Sequence, residues 1–135
     1  MTPRYGARSY VQTQAVSATP LQLVAMLYDA AVISAAAAHD ALVRRDIPAR
    51  RAAVNKLLNI IAELQNALDM ERGGALAAEL DRLYDYMVRQ LMEAVSTQNA
   101  APVEGVQRVL VTLRDAWQQI AAEQTEPMAQ AGGRR

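Results

Sequence analysis

Apolar residues recur along the chain at the spacing of an α-helix, in four successive stretches. Apolar positions three or four residues apart form a stripe along one face of a helix. The pattern therefore predicts an all-α protein whose helices turn these stripes towards a shared core. The stripes are Val24, Leu27, Tyr28, Ala31, Ala35, Ala38 and Leu42; Val54, Leu57, Leu58, Ile61, Leu64 and Leu68; Leu76, Leu80, Leu83, Tyr84, Met87 and Leu91; and Val103, Val106, Leu110, Leu113, Trp117 and Ile120.

Capping residues and glycines set the predicted ends of the first two helices. Thr19 is followed by Pro20 and, three positions on, by Gln22, which is the arrangement of a capping box with proline at the first helical position. We expect the first helix to run to about residue 45. Asp46 can cap a second helix, which should continue through residue 68 until the glycines at 73 and 74 supply a positive φ angle.

The remaining segments complete a bundle. We expect a third helix over 75–97 and a fourth over 103–124. Four long helices with short connections pack most simply as an antiparallel four-helix bundle, here over residues 19–124. An N-terminal arm of residues 1–18 precedes this bundle, and a disordered tail of residues 125–135, with proline and two glycines, follows it.

The first helix carries a second apolar stripe, about 150° from the first at 100° per residue. A single core cannot bury both faces, and soluble proteins seldom leave a large apolar patch in water. The stripe has four open interpretations: a central position for this helix, cover by the N-terminal segment, a homodimer, or a groove for a partner's amphipathic helix. The stripe comprises Leu23, Met26, Ala30, Ile33 and Ala37. Further apolar residues near or beyond the edge of the core are Ile60, Val88, Met92, Val109 and Val111.

Tyrosines stand out in a chain that has no phenylalanine. Tyr28 and Tyr84 each precede an aspartate and face the predicted core, where a buried hydroxyl needs a hydrogen-bond partner and can fix helix register. Tyr86 projects about 110° from the stripe of its helix, so we expect an exposed or interfacial position.

Charge and composition narrow the partners and the compartment. Fourteen basic and fourteen acidic side chains give no net charge, so no nucleic-acid partner is expected. The absence of cysteine removes disulfides and thiolate ligands and permits a reducing compartment. The first twenty residues hold no apolar run, and the longest one, residues 30–38, is too short to span a bilayer. We therefore expect a cytoplasmic protein without membrane insertion.

The sequence offers no recognisable set of catalytic or metal-binding side chains. His39 is the single histidine, so the paired Glu-x-x-His motifs of di-iron bundles cannot form. Asp81 and Asp85 lie one helical turn apart with arginines nearby, which is typical of a solvated helix surface. Phosphate-binding loops, dinucleotide fingerprints and nucleophile elbows are not found. We predict a non-enzyme, without metal or cofactor, that acts by binding another protein.

A series of short segments spans nearly the whole helical region. They are Tyr10; Thr19-Pro20-Leu21-Gln22-Leu23; Met26-Leu27-Tyr28-Asp29; Asp46-Ile47; Ile60-Ile61-Ala62-Glu63-Leu64; Leu68-Asp69-Met70-Glu71; Gly73-Gly74; Leu80-Asp81-Arg82-Leu83-Tyr84-Asp85-Tyr86-Met87; and Leu113-Arg114-Asp115-Ala116-Trp117. Their order and spacing resemble the flagellar secretion chaperone family, which binds flagellin. The chain departs from the family pattern at Ala30, where glycine is usual, at Ala67, where serine is common, and at Glu79, where asparagine is common. These departures affect the choice of flagellin more than the fold.

The resemblance implies a cytoplasmic chaperone that binds the disordered C-terminal segment of flagellin. It implies that the chaperone prevents premature polymerisation and helps to deliver flagellin to the type III export gate, acting as a monomer or weak homodimer. The N-terminal arm with Tyr5 and Tyr10 would cover apolar surface in the free protein and shift when the client binds. The candidate groove residues are Leu23, Met26, Ile33, Ile60, Tyr86, Val88, Met92 and Val109.

Two alternatives to a flagellin chaperone remain at this point. One is a structural homo-oligomeric bundle whose second apolar stripe is a dimer interface and which has no client. Its mass in solution, with and without flagellin, separates it from a chaperone. The other is a regulatory adaptor that sequesters an anti-sigma factor or another flagellar regulator.

Overall fold

The computed structural model describes residues 19–133, with side chains to residue 123, and within this range it contains four α-helices and no strand. The helices are α1 (Pro20–Arg44), α2 (Ile47–Asn66), α3 (Met70–Thr97) and α4 (Ala101–Gly133). The predicted arm, with Tyr5 and Tyr10, lies outside the described residues.

The four helices form the predicted antiparallel bundle. Each helix packs against the one that follows it in the chain, and α4 closes the ring by packing against α1. The direction of α4 follows from two contacts: His39 near the end of α1 meets Glu104 at the start of α4, and Tyr28 near the start of α1 meets Trp117 further along α4. Short connections between neighbouring helices are sufficient for this topology.

Local capping interactions start the first two helices. The Thr19 Oγ1 atom accepts a hydrogen bond from the Gln22 N–H at 3.1 Å, and the Gln22 side chain accepts one from the Thr19 N–H at 3.0 Å. The predicted capping box is therefore confirmed. Asp46 caps α2 by accepting a hydrogen bond from the Ala49 N–H at 3.1 Å. Arg45, in the left-handed conformation, ends α1.

The predicted boundary between the second and third helices is wrong. The α2 helix ends at Asn66, and Asp69 caps α3 by accepting a hydrogen bond from the Arg72 N–H at 3.0 Å. An aspartate side chain that satisfies free N–H groups makes a helix start at this point, before the glycines are reached. Gly74 does have a positive φ angle of 52°, but it forms a kink inside α3 rather than the stop of α2.

The fourth helix is longer at both ends than expected. It starts at Ala101, whose N–H donates to the Asn99 side chain at 3.0 Å, two residues before the predicted start. Pro102 fits here because the N–H groups of a first helical turn need no partner within the helix. The backbone remains helical to Gly133, past the end expected near residue 124, in a stretch that also contains a proline and two glycines.

Most residues of the predicted stripes are buried, but two stripe residues are exposed, and one large apolar residue outside the stripes is buried. Leu76 is 65% exposed and Ile120 is 39% exposed, because both lie near one end of the bundle, and Ala121 takes the core position on α4 instead. Ile60, expected near the edge of the core, is only 8% exposed. The core face of α1 is largely alanine, so α2 can approach closely and bury a wider arc of its own surface.

The α1 helix is unusually apolar for a surface helix. Among the described helices it is the one that is long and apolar enough, by length and composition, to cross a membrane. Its apolar character has two sources, a core face that is buried in the bundle and a second apolar face that is not.

Candidate functional site

The second apolar stripe of α1 lies on the outside of the bundle. We call Leu23, Met26, Ala30, Ile33 and Ala37 the outer stripe. Ile33 is 62% exposed, Leu23 and Ala37 are exposed, and the other two residues are half-buried. The spacing of three or four residues places these side chains along one face of the helix. The bundle therefore does not bury both faces of α1, and the interpretation that α1 occupies a central position is wrong.

A second group of candidates lies where α3 meets α2. The Gln65 Nε2 atom donates to the Asp81 carboxylate at 3.2 Å and to the Asp85 carboxylate at 2.8 Å, so these aspartates mark the edge of α3 that faces α2. Val88 and Met92 each follow one of them by seven residues and so lie on the same edge. Met92 is exposed and Val88 is half-buried. These two residues form an apolar patch separate from the outer stripe.

The remaining candidates are dispersed. Tyr86 is 40% exposed on α3, as its position on the helix indicated. Val109 on α4 is half-buried and packs against the core, and Ile60 belongs to the core itself. The structure therefore brings Leu23, Met26 and Ile33 together, pairs Val88 with Met92, and leaves the other candidates apart.

An aromatic cluster lies in the core of the bundle. Tyr28 and Tyr84 are both buried, and their hydroxyls share a short hydrogen bond between α1 and α3. Trp117 stacks on Tyr28 with ring centroids 6.4 Å apart. Burial raises the pKa of both tyrosine hydroxyls, so both stay protonated at neutral pH. The prediction of two core-facing tyrosines is confirmed, and the pair fixes the register of two diagonal helices.

Sequence reasoning missed an apolar cavity at one end of the bundle. It lies beneath the connection between α2 and α3, has a volume of about 180 Å³ and is open on one side. Its walls come from all four helices and its single charged lining residue is Asp69. The glycine pair and the leucine at position 76 indicated an irregular, apolar helix end. A cavity, however, depends on how four helix ends meet, which the sequence does not show. The lining residues are Val24, Leu64, Ala67, Leu68, Asp69, Gly73, Leu76, Ala77, Leu80, Tyr84 and Trp117.

Some polar groups on the described surface form ion pairs and hydrogen bonds with one another. His39 pairs with Glu104 at 3.0 Å between α1 and α4, and Arg44 bonds to both Asp40 and Asp46. Within the side chains described, no group of three or more histidine, aspartate or glutamate residues could hold a metal ion. The exposed apolar residues of the outer stripe are the main candidate for binding another protein among the described side chains.

Comparison with known proteins gives consistent matches over the helical region. The profile of a family described as Flagellar protein FliS matches residues 1–124. A flagellar secretion chaperone FliS of Salmonella typhimurium is 38% identical over 116 residues, which cover 85% of this chain and 86% of the relative. FliSB of Pseudomonas aeruginosa, also described as a flagellar secretion chaperone, is 34% identical over 82% of this chain and 88% of its own. FliS of Bacillus subtilis, described likewise, is 30% identical over 93% and 92%.

Proposed function

The chain belongs to the FliS family of flagellar secretion chaperones, and on this premise we propose that it binds the C-terminal segment of flagellin in the cytoplasm. Binding prevents premature polymerisation of flagellin and helps to deliver it to the type III export gate. The support for this role is the family membership together with an all-helical bundle that carries apolar surface on its outside.

The outer stripe is the observation that carries the proposal. An amphipathic segment that folds into a helix on binding can lay its apolar face along such a stripe. The segment loses conformational entropy when it becomes ordered, which limits the affinity and keeps the client releasable for export. Leu23 and Ile33 offer the large exposed side chains of the stripe, and the two alanines of the stripe, Ala30 and Ala37, allow close approach of a helix.

We also propose a role for the N-terminal arm. Residues 1–18 join the bundle at Thr19, directly before the helix that carries the outer stripe. An arm of this length can extend for about 60 Å, which exceeds the length of α1. In the free protein, Tyr5 and Tyr10 cover apolar surface on the bundle, and the arm shifts when flagellin binds.

Hydrogen exchange tests the binding surface and the arm together. We expect amides in the first half of α1 to exchange more slowly when the chain is saturated with the C-terminal segment of flagellin from the same organism, because the occupied helix opens less often. Exchange in residues 1–18 should change as well. The connection between α1 and α2, at the far end of the bundle, provides an internal control.

Each part of the proposal has its own negative result. If exchange in α1 is the same with and without excess segment, the outer stripe does not bind flagellin. If α1 is protected but residues 1–18 exchange as before, the client site stands and the arm does not cover it.

The outer stripe also fits a second kind of protein, a structural homodimer. Two copies of the chain could bury the stripe against each other, since an exposed apolar stripe serves either purpose. In that case the protein would be a structural bundle without a client, and flagellin would leave its mass in solution unchanged.

A further inference from the structure

We infer that the cavity between the ends of α2 and α3 binds one large apolar side chain of the client polypeptide. This inference rests on the proposed function, because it requires a polypeptide client. It adds a specific anchoring site to a surface that would otherwise offer only an apolar face.

The size and the chemistry of the cavity select the side chain. A volume of about 180 Å³ exceeds that of an engineered protein cavity of about 150 Å³ that takes up benzene, so a leucine, isoleucine, methionine or phenylalanine side chain fits. The walls include Leu64, Leu80 and the rings of Tyr84 and Trp117. The hydroxyl of Tyr84 is already bonded to Tyr28, so this wall presents mainly carbon to a ligand. An acidic side chain would lose its hydration here without gaining a partner, and the one charged lining residue, Asp69, already accepts the Arg72 N–H as the cap of α3.

The surroundings of the mouth indicate a polypeptide rather than a free small molecule. Leu76, at the mouth, is 65% exposed, and Met70 in the first turn of α3 is also exposed. Leu23 and Ile120 bring exposed apolar side chains to the same end of the bundle from α1 and α4. A small molecule inside the cavity would leave this collar in water, whereas a client chain with apolar neighbours beside the anchor would cover it.

The cavity also lies at the end of the bundle where the outer stripe begins. Val24 lines the cavity, and the adjacent residue Leu23 begins the outer stripe. A client segment that lies along the outer stripe therefore ends near the mouth, and its next residues can turn over the end of the bundle to reach it. One bound segment can bury apolar surface along the stripe, while its anchoring side chain in the cavity fixes the position of the segment along α1.

A filling substitution tests the anchor with a matched control. Ala67 lies at the surface and lines the cavity, so the longer side chain in Ala67→Leu can occupy the space without disturbing the core. Ala62→Leu makes the same chemical change at an exposed position on α2 that does not line the cavity. A second pair removes apolar surface. Leu76→Ser lies at the mouth, and Val43→Ser lies at the opposite end of the bundle, where the side chain has a similar exposure of 62%.

Affinity for the C-terminal segment of flagellin from the same organism is the measurement, by titration calorimetry on the full chain. Ala67→Leu should weaken binding by about ten- to a hundredfold, which corresponds to losing the burial of one large apolar side chain. Leu76→Ser should also weaken binding, whereas the affinities of Ala62→Leu and Val43→Ser should stay within about twofold of that of the natural chain.

The outcomes separate this inference from the proposed function. Equal affinities for Ala67→Leu and Ala62→Leu, with tight binding by the natural chain, overturn the anchoring cavity and leave the chaperone role intact. No binding by the natural chain overturns both. Trp117 is the single tryptophan of the chain and lines the cavity, so its emission should change when the segment saturates the natural chain and should not change in Ala67→Leu.

Discussion

At the scale of single residues, the tyrosine pair is the main polar feature of the core. Tyr28 lies on α1 and Tyr84 on the diagonally opposite α3. Their buried hydroxyls are hydrogen-bonded to each other. Among the described residues, no buried side-chain nitrogen or oxygen lacks a hydrogen-bond partner. Because unsatisfied buried groups are costly, this pair favours one register of α1 against α3 over its alternatives.

Removing one hydroxyl should expose this dependence. We expect Tyr84→Phe to lower the free energy of unfolding by about 1–3 kcal/mol, because the Tyr28 hydroxyl loses its Tyr84 partner. Urea unfolding followed by circular dichroism measures the change. The double variant Tyr28→Phe with Tyr84→Phe should lose less than the sum of the two single variants, since it leaves no hydroxyl without a partner. Strict additivity would contradict a coupled pair.

Burial of individual residues was predictable where the helix pattern alone decides it. Tyr28 and Tyr84 fall in the middle of their stripes and are buried, as expected. Ile60 and Leu76 were assigned wrongly because their exposure depends on neighbouring helices. Ile60 is buried where α2 packs into the core, while the end of the bundle leaves Leu76 open. The spacing of apolar residues within one helix does not show how neighbouring helices cover its edges and ends.

At the scale of helices, the ends were predictable where a cap is local. The capping box at Thr19 and the cap at Asp46 involve residues within three positions of each other, so the sequence shows them directly. The α2–α3 connection has two competing signals, Asp69 and the glycine pair, and the aspartate determines where α3 begins. Gly74 then produces a kink that the pattern could not distinguish from a helix end.

The kink at Gly74 gives a prediction with an internal control. Its φ of 52° and ψ of −126° lie in a region of backbone conformation that residues other than glycine rarely adopt. Gly74→Ala should therefore lower the free energy of unfolding by about 1–3 kcal/mol. Gly105→Ala lies within α4, where an added Cβ meets no close neighbour, and should be neutral or stabilise by up to about 1 kcal/mol. Equal effects of the two substitutions in urea unfolding would refute the strained kink.

At the scale of the whole molecule, the fold and the outer stripe follow from the sequence, whereas the cavity does not. Four amphipathic stretches with short connections determine the bundle, and the excess of apolar residues on α1 reveals a surface outside it. A cavity requires the relative positions of all four helix ends, including the kink and the open wall at Leu76. The candidate site was therefore predictable as a surface, but not as a surface with an anchoring pocket.

The absence of net charge also shapes the expected mode of binding. With equal numbers of acidic and basic side chains, long-range steering of a client contributes little. Affinity must then come mainly from burial of apolar surface along α1 and at the end of the bundle. Burial of apolar surface has a thermodynamic signature, a negative change in heat capacity.

Titration calorimetry of the chain with the C-terminal segment of flagellin from the same organism, repeated at several temperatures, tests this account most directly. We predict saturable one-to-one binding with a negative heat-capacity change, because the client folds and buries apolar surface on the bundle. Absence of binding heat at every temperature, with the chain dimeric by light scattering, would contradict the chaperone role and assign the outer stripe to self-association.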